Sequence, residues 1–153
     1  MTNDLIRTAR ILAGASPNKP RQAELKRAIS TAYYALFHTL AQDAADRLIG
    51  TGKGRSNEAW AQVYRALQHG LAKEACQRTS NLGFPSPIIE CADAFVDLQE
   101  ARHAADYDPD KRVTRNTAQE KIDLAEIAIR KLRSAPKSDR KAFAVLLLLQ
   151  KRT

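Results

Sequence analysis

Four side chains able to handle protons or phosphate fall within six residues: Arg102, His103, Asp106 and Tyr107, in the stretch EARHAADYDP at residues 100–109. Arg102 and Asp106 are spaced i, i+4, as are His103 and Tyr107, and on a helix that spacing puts two side chains side by side. A guanidinium carries a permanent charge and a fork of donors matched to phosphate oxygens. A phenol titrates near pH ~10 and an imidazole near ~6.5, so at neutral pH the first donates and the second serves as acid or base. Such a set can hold and protonate a phosphate ester. The same spacing also suits a structural ion pair that ties down a helix end, and spacing alone leaves both readings open.

A counterpart lies earlier, in RAISTAYYALFHTL at residues 27–40. Tyr33 and Tyr34 carry hydroxyls that need partners if buried, and His38 sits one turn beyond Tyr34. Tyr34, Phe37 and His38 at helical spacing suit a core as well as a site. His69 has no companions in the sequence and reads as ordinary surface. The run GTGKGRS at 50–56 lacks the four-residue gap of a phosphate loop and reads as a flexible helix connection, from which Lys53 and Arg55 could touch a polyanion. Cys76 and Cys91 have no histidines at ligand spacing and read as small reduced hydrophobes.

The elements that must position these residues are helices. Pro17 and Pro20, Gly50–Gly54, Gly83–Pro87, Pro109 and Pro136 cut the chain into helical lengths, and no stretch alternates as a half-buried strand does. Six helices are predicted: roughly 3–14, 21–49, a third capped by Ser56 with the stripe Trp60, Val63, Leu67 and Leu71, a fourth capped by Ser86 and ending near Asp108, a fifth over 113–134, and a last apolar one near 137–151. The residue before a proline is pushed out of the α region, which sets the end at Asp108. The second helix is apolar on two sides and is expected at the centre. In the fourth, at about 100° per residue, Gln99, Arg102 and Asp106 continue the inward stripe of Ile88, Ala92 and Phe95, with His103 on its flank. The fold class is therefore all-α: an up-and-down antiparallel bundle of four to five main helices plus a short C-terminal one, forming a single domain over 1–153 with its core in about 21–134.

Charge narrows the partners without naming them. The net charge is +8, and the excess lies at the two ends. Residues 1–55 hold nine Lys/Arg against four Asp/Glu, residues 100–153 hold thirteen against eight, and the middle holds three against five. An anion-binding face is thus expected from the first and last thirds, suited to RNA, DNA or an acidic protein. The first residues lack the apolar segment of a secretory signal and no apolar run approaches the ~20 residues of a membrane span, so a cytoplasmic protein is expected. AFAVLLLLQ, at 142–150, is apolar all round; the core, a subunit interface and a lipid surface all remain open to it.

Two segments together resemble one known superfamily. Ser30–His38, read as STAYYALFH, followed by Arg102–Asp108, read as RHAADYD, is similar to the HEPN domain (higher eukaryotes and prokaryotes nucleotide-binding domain), and the likeness runs from residue 25 to about 133. The resemblance implies a helical bundle that dimerises and, in many members, cleaves RNA without metal in toxin–antitoxin, phage-defence or RNA-processing systems. Such members carry an arginine followed four to six residues later by a histidine. Residues from two protomers line one cleft, where the RNA 2′-hydroxyl attacks its own phosphodiester.

The arginine carries over to Arg102. Tyr107 stands where the histidine is expected, leaving His103 and His38 as substitutes and Asp106 as the arginine's partner. The resemblance further implies Tyr34 and His38 in the cleft, with Lys111, Arg112 and Arg115 at its mouth on phosphates. The Ala-Asp-Tyr-Asp variant resembles a branch often encoded beside a small nucleotidyltransferase, which in related toxins modifies a tyrosine near this motif; Tyr107 is the candidate here. The expected partners are a second copy of the chain, RNA or a nucleotide, and such a nucleotidyltransferase as antitoxin. No metal, cofactor or membrane is expected.

Overall fold

The computed structural model describes residues 1–152. It is all-α, with seven helices among the described residues: α1 Thr2–Gly14, α2 Gln22–Leu48, α3 Asn57–Ala66, α4 His69–Cys76, α5 Ser86–Tyr107, α6 Arg115–Ser134 and α7 Lys137–Leu148. None is long and apolar enough to cross a membrane.

α2 is the axis of the bundle, packed by α1, α3, α5, α6 and α7. Its sequence allows this because small residues recur between large ones. Ala28, Ala32, Ala35, Ala41, Ala44 and Ala45 are buried and let neighbouring backbones approach, while Leu25, Ile29, Tyr33, Leu36 and Leu40 fill the spaces between. Phe95 of α5 and Ile122 and Leu132 of α6 complete the core. Each large apolar side chain buried there contributes roughly 1.5–3 kcal/mol. The glycine run is a connection: Gly50, at φ +115°, turns the chain out of α2 in a conformation that side-chain-bearing residues rarely adopt.

Several boundaries follow local chemistry. The Ser56 hydroxyl accepts from the Ala59 N–H at the start of α3, and Thr114 accepts from Thr117 at the start of α6. Asp108, before Pro109, is extended and closes α5. The start of α5 lies one residue earlier than Ser86 capping would give: Pro85 precedes the helix, Ser86 is its first residue and caps nothing.

The third predicted helix is corrected to two. Leu67 and Gln68 are extended, so α3 ends at Ala66 and α4 begins at His69. On a continuous helix positions 67 and 69 would lie about 200° apart. The break turns both inward, burying Leu67 and bringing His69 against α2.

α7 resolves the C-terminal apolar run into two faces. Phe143, Ala144 and Leu147 are buried against the bundle, chiefly α2 and α4, whereas Val145 and Leu149 are exposed. Arg140 fixes the helix by donating Nε, at 3.0 Å, and Nη2 to the buried Asp43 of α2, with Arg47 Nε 3.9 Å from the same carboxylate. Cys76 and Cys91 are free and buried, and burial raises both thiol pKa values, that of Cys91 to about 12.

Candidate functional site

The inward stripe of α5 turns polar in its last two turns, and those turns face α2. Arg102, with 15% of its side chain exposed, lies between the two helices. Its Nη2 donates to Tyr34 Oη at 3.1 Å, and its charge stands over the rings of Tyr33, Tyr34 and Tyr107 at 5.6, 5.4 and 5.9 Å. Arginine over aromatic faces gains about 0.5–2 kcal/mol per contact, more as water is excluded. Arg102 Nε is 3.0 Å from Asp106 Oδ2, so the charges attract, yet its N–H is not aimed at that oxygen and makes no hydrogen bond. Asp106 instead accepts from Ser30 Oγ at 2.6 Å. Gln99, one turn before Arg102, buries its Oε1 without a partner. A donor and an acceptor, buried and unfilled within one turn, are uncommon in a settled core.

Along α2, Ser30, Tyr34 and His38 recur every four residues and form a half-buried polar row. Each has a partner on another helix: Asp106 and Arg102 on α5, and Tyr64 on α3, whose Oη is 2.7 Å from His38 Nδ1. Burial lowers the His38 pKa and raises that of Tyr64, so the imidazole is neutral at pH 7 and shares one hydrogen bond with the phenol, its direction set by the ring tautomer.

His69 joins this row, contrary to its reading as ordinary surface. Its ring stacks on Phe37 at 4.2 Å, and its Nδ1 is 2.6 Å from Tyr33 Oη. Tyr33 is fully buried and its pKa is pushed far up by that burial. It therefore keeps its proton and donates it to His69 Nδ1, which puts the imidazole hydrogen on Nε2. Burial, then the nearby Arg102 charge and then His38, lower the His69 pKa. Only the packing of α4 on α5 and α7, which brings its first residue over α2, creates these contacts; a sequence signal was the tyrosine hydroxyl, which needed a partner.

Asp106 is exposed at the rim of the cleft rather than carried inward with Gln99 and Arg102, and the other two members of the EARHAADYDP cluster face outward. His103 is exposed and Tyr107 is 65% exposed; their rings lie 4.9 Å apart on the flank of α5. With Lys73, Gln99 and Glu100 they line an open cavity of about 460 Å³. Lys111 and Arg112 are exposed on the 108–114 connection beyond α5. Arg115 is engaged elsewhere: its guanidinium donates to the carbonyls of Ala13, Ser16 and Pro17 at 3.0, 2.6 and 2.7 Å, closing the C-terminal end of α1. Those donors are spent on the fold, which corrects its expected place at the cleft mouth. Gln22 holds the same connection by a reciprocal pair of hydrogen bonds with the Val113 backbone. Among the described residues no three His, Cys, Asp or Glu side chains gather as a metal-ligand set.

No protein family, curated protein or solved structure matches the chain.

Proposed function

We propose that the chain is a HEPN-like protein of toxin–antitoxin or defence type that acts as a homodimer, binding RNA at Arg102 and cleaving it without metal. One observation carries this reading. Arg102 is held by Tyr34 and Asp106 between tyrosine rings, with part of its guanidinium side chain still exposed. A fixed, partly exposed cation suits the negative charge that builds on the non-bridging phosphate oxygens during in-line attack.

In this reaction the RNA O2′ bonds to the adjacent phosphorus and the P–O5′ bond breaks, leaving a cyclic phosphate and a free 5′-hydroxyl. His38, neutral at pH 7, acts in the tautomer whose Nδ1–H donates to Tyr64 Oη, which leaves Nε2 free to take the O2′ proton, and solvent supplies the proton to O5′. Lys111 and Arg112 add phosphate contacts from the neighbouring connection. The test is cleavage of single-stranded RNA by pure protein in EDTA, with Arg102→Ala and Tyr107→Phe beside the wild type. Cleavage lost in Arg102→Ala supports the site; equal activity in all three proteins rules it out.

The exposure of Tyr107 favours a second reading. An outward phenol at the end of a helix is open to a modifying enzyme, so the protein is a binding module whose tyrosine a small nucleotidyltransferase antitoxin modifies. Incubation with such an enzyme and ATP should then add nucleotide mass to the wild type and none to Tyr107→Phe. An unmodified wild type would count against it.

A further inference from the structure

Four aromatic rings from two helices follow one another across the surface between α2 and α3: Trp60, Tyr64, His38 and Tyr34. Consecutive centroids are 5.3, 6.0 and 6.0 Å apart, with planes inclined by 25°, 19° and 29°. At such separations near-parallel rings are offset rather than eclipsed. All four are half-buried. A guanidinium stands at each end, Arg55 at 4.6 Å over Trp60 and Arg102 at 5.4 Å over Tyr34.

Every ring is also tethered at its rim. Trp60 Nε1 donates to Asp46 at 2.9 Å, Tyr64 and His38 bond to each other at 2.7 Å, and Tyr34 accepts from Arg102 at 3.1 Å. Asp46 lies 3.7 Å from Arg55 and Asp106 3.0 Å from Arg102, so the guanidinium at each end is paired with a carboxylate. Half-exposed rings whose orientations are already fixed lose little freedom when a flat ligand settles on them. Tyr34 and Tyr64 also pack against the core, whereas α3, which supplies two of the rings, has no fully buried residue.

We infer that this ladder is a base-stacking track for single-stranded RNA, running from Arg55 to Arg102 and delivering the strand to the phosphate site. The inference rests on the proposed RNA site at Arg102 and extends it by naming the form of the substrate. Aromatic faces accept any base, but only one whose face is free, so the track takes unpaired strands and rejects duplex. Its specificity is for strandedness rather than for sequence.

Trp60 is the only tryptophan in the chain and lies within the track, so its emission reports on occupancy. The experiment titrates intact protein with a single-stranded oligouridine dodecamer and with an RNA duplex of equal length. Wild type is compared with Trp60→Leu, Tyr64→Leu, Trp60→Phe and Arg102→Ala, binding of the variants being followed by anisotropy of a labelled oligonucleotide.

A saturable quench of Trp60 by the single strand is expected, together with affinity lowered on the order of 10- to 100-fold in Trp60→Leu and Tyr64→Leu. Trp60→Phe should keep most of the affinity, which separates loss of stacking from loss of fold, and thermal melts confirm that each variant is folded. Binding that depends on Arg102 but is unchanged in Trp60→Leu and Tyr64→Leu overturns the track and leaves the Arg102 site standing. Equal affinity for duplex also overturns it. No RNA binding by the wild type removes both. Emission that follows protein concentration and not RNA would show the rings covered by a second copy of the chain, and that too overturns the inference.

Discussion

Two arginine–aspartate pairs lie in the same bundle and are used differently. At the α2–α7 seam, Asp43 is 8% exposed and takes two donors from Arg140, a residue 97 positions away in the chain. At the α2–α5 cleft, Asp106 comes from the helix that carries Arg102, is shared with Ser30, and leaves Nε without a hydrogen bond. The first carboxylate is consumed in joining two elements. The second steadies a cation without exhausting it. Charge pairing alone therefore does not separate a brace from a site, nor does one unfilled donor, since Arg47 Nε beside Asp43 is also buried without a hydrogen bond. What differs is that Arg140 ties two helices together while Arg102 lies among tyrosine rings.

The largest effect that tests this contrast is on stability. Asp43→Ala strands Arg140 and Arg47, and should cost about 3–5 kcal/mol in urea unfolding, with RNA cleavage per folded molecule unchanged. A loss below about 1 kcal/mol would mean the seam is not a brace. Next comes Arg102→Ala, for which RNA cleavage should fall about 10²–10³-fold while stability falls less than in Asp43→Ala. The reverse ranking would make the two pairs alike.

Arg115→Ala then extends the contrast to an arginine with spent donors. It should lose about 1.5–3 kcal/mol of stability, as hydrogen bonds from a charged group do, and leave RNA affinity as it was. Lys111→Ala should do the opposite, lowering the salt slope of RNA binding by about one with little change in melting.

The smallest effect is the response to pH. His38 and His69, facing Tyr64, Tyr33 and Arg102, have pKa values below the ordinary imidazole value. The unfolded chain therefore binds more protons near pH 6.5 and just below. The stability these neutral histidines contribute is present above ~6.5 and lost as pH falls through that value toward their folded pKa values. Thermal melts from pH 7.5 to 5 should show the loss, flattened in a His38→Asn, His69→Asn variant; an unchanged slope in that variant would assign the loss to other groups.

What the sequence disclosed was governed by short-range rules. Pro109 ends α5 and Ser56 caps α3, because each depends only on residues a turn or two away. The inward turn of Gln99 and Arg102 was legible for the same reason. What stayed hidden depended on distant contacts. The break at Leu67 has no proline, and the nearby Gly70 sits inside α4 rather than at the break; it exists because the core takes Leu67 while α2 takes His69. Arg115 looked like one more basic residue near the motif until three carbonyls from the end of α1 claimed it. Trp60 read as part of a core stripe, and only the packing of α3 on α2 aligns it with Tyr64, His38 and Tyr34.

The two cysteines, sealed between helices with their thiols held protonated, also make the chain a convenient object for chemistry at the bench. Only thiolates react with maleimides or disulfide reagents, so Cys76 and Cys91 stay silent in the native molecule and become reactive once it opens. Labelling kinetics therefore count unfolding events without added probes. A cysteine introduced at an exposed position, such as Lys53 on the glycine connection, can be tagged alone without first replacing the native pair.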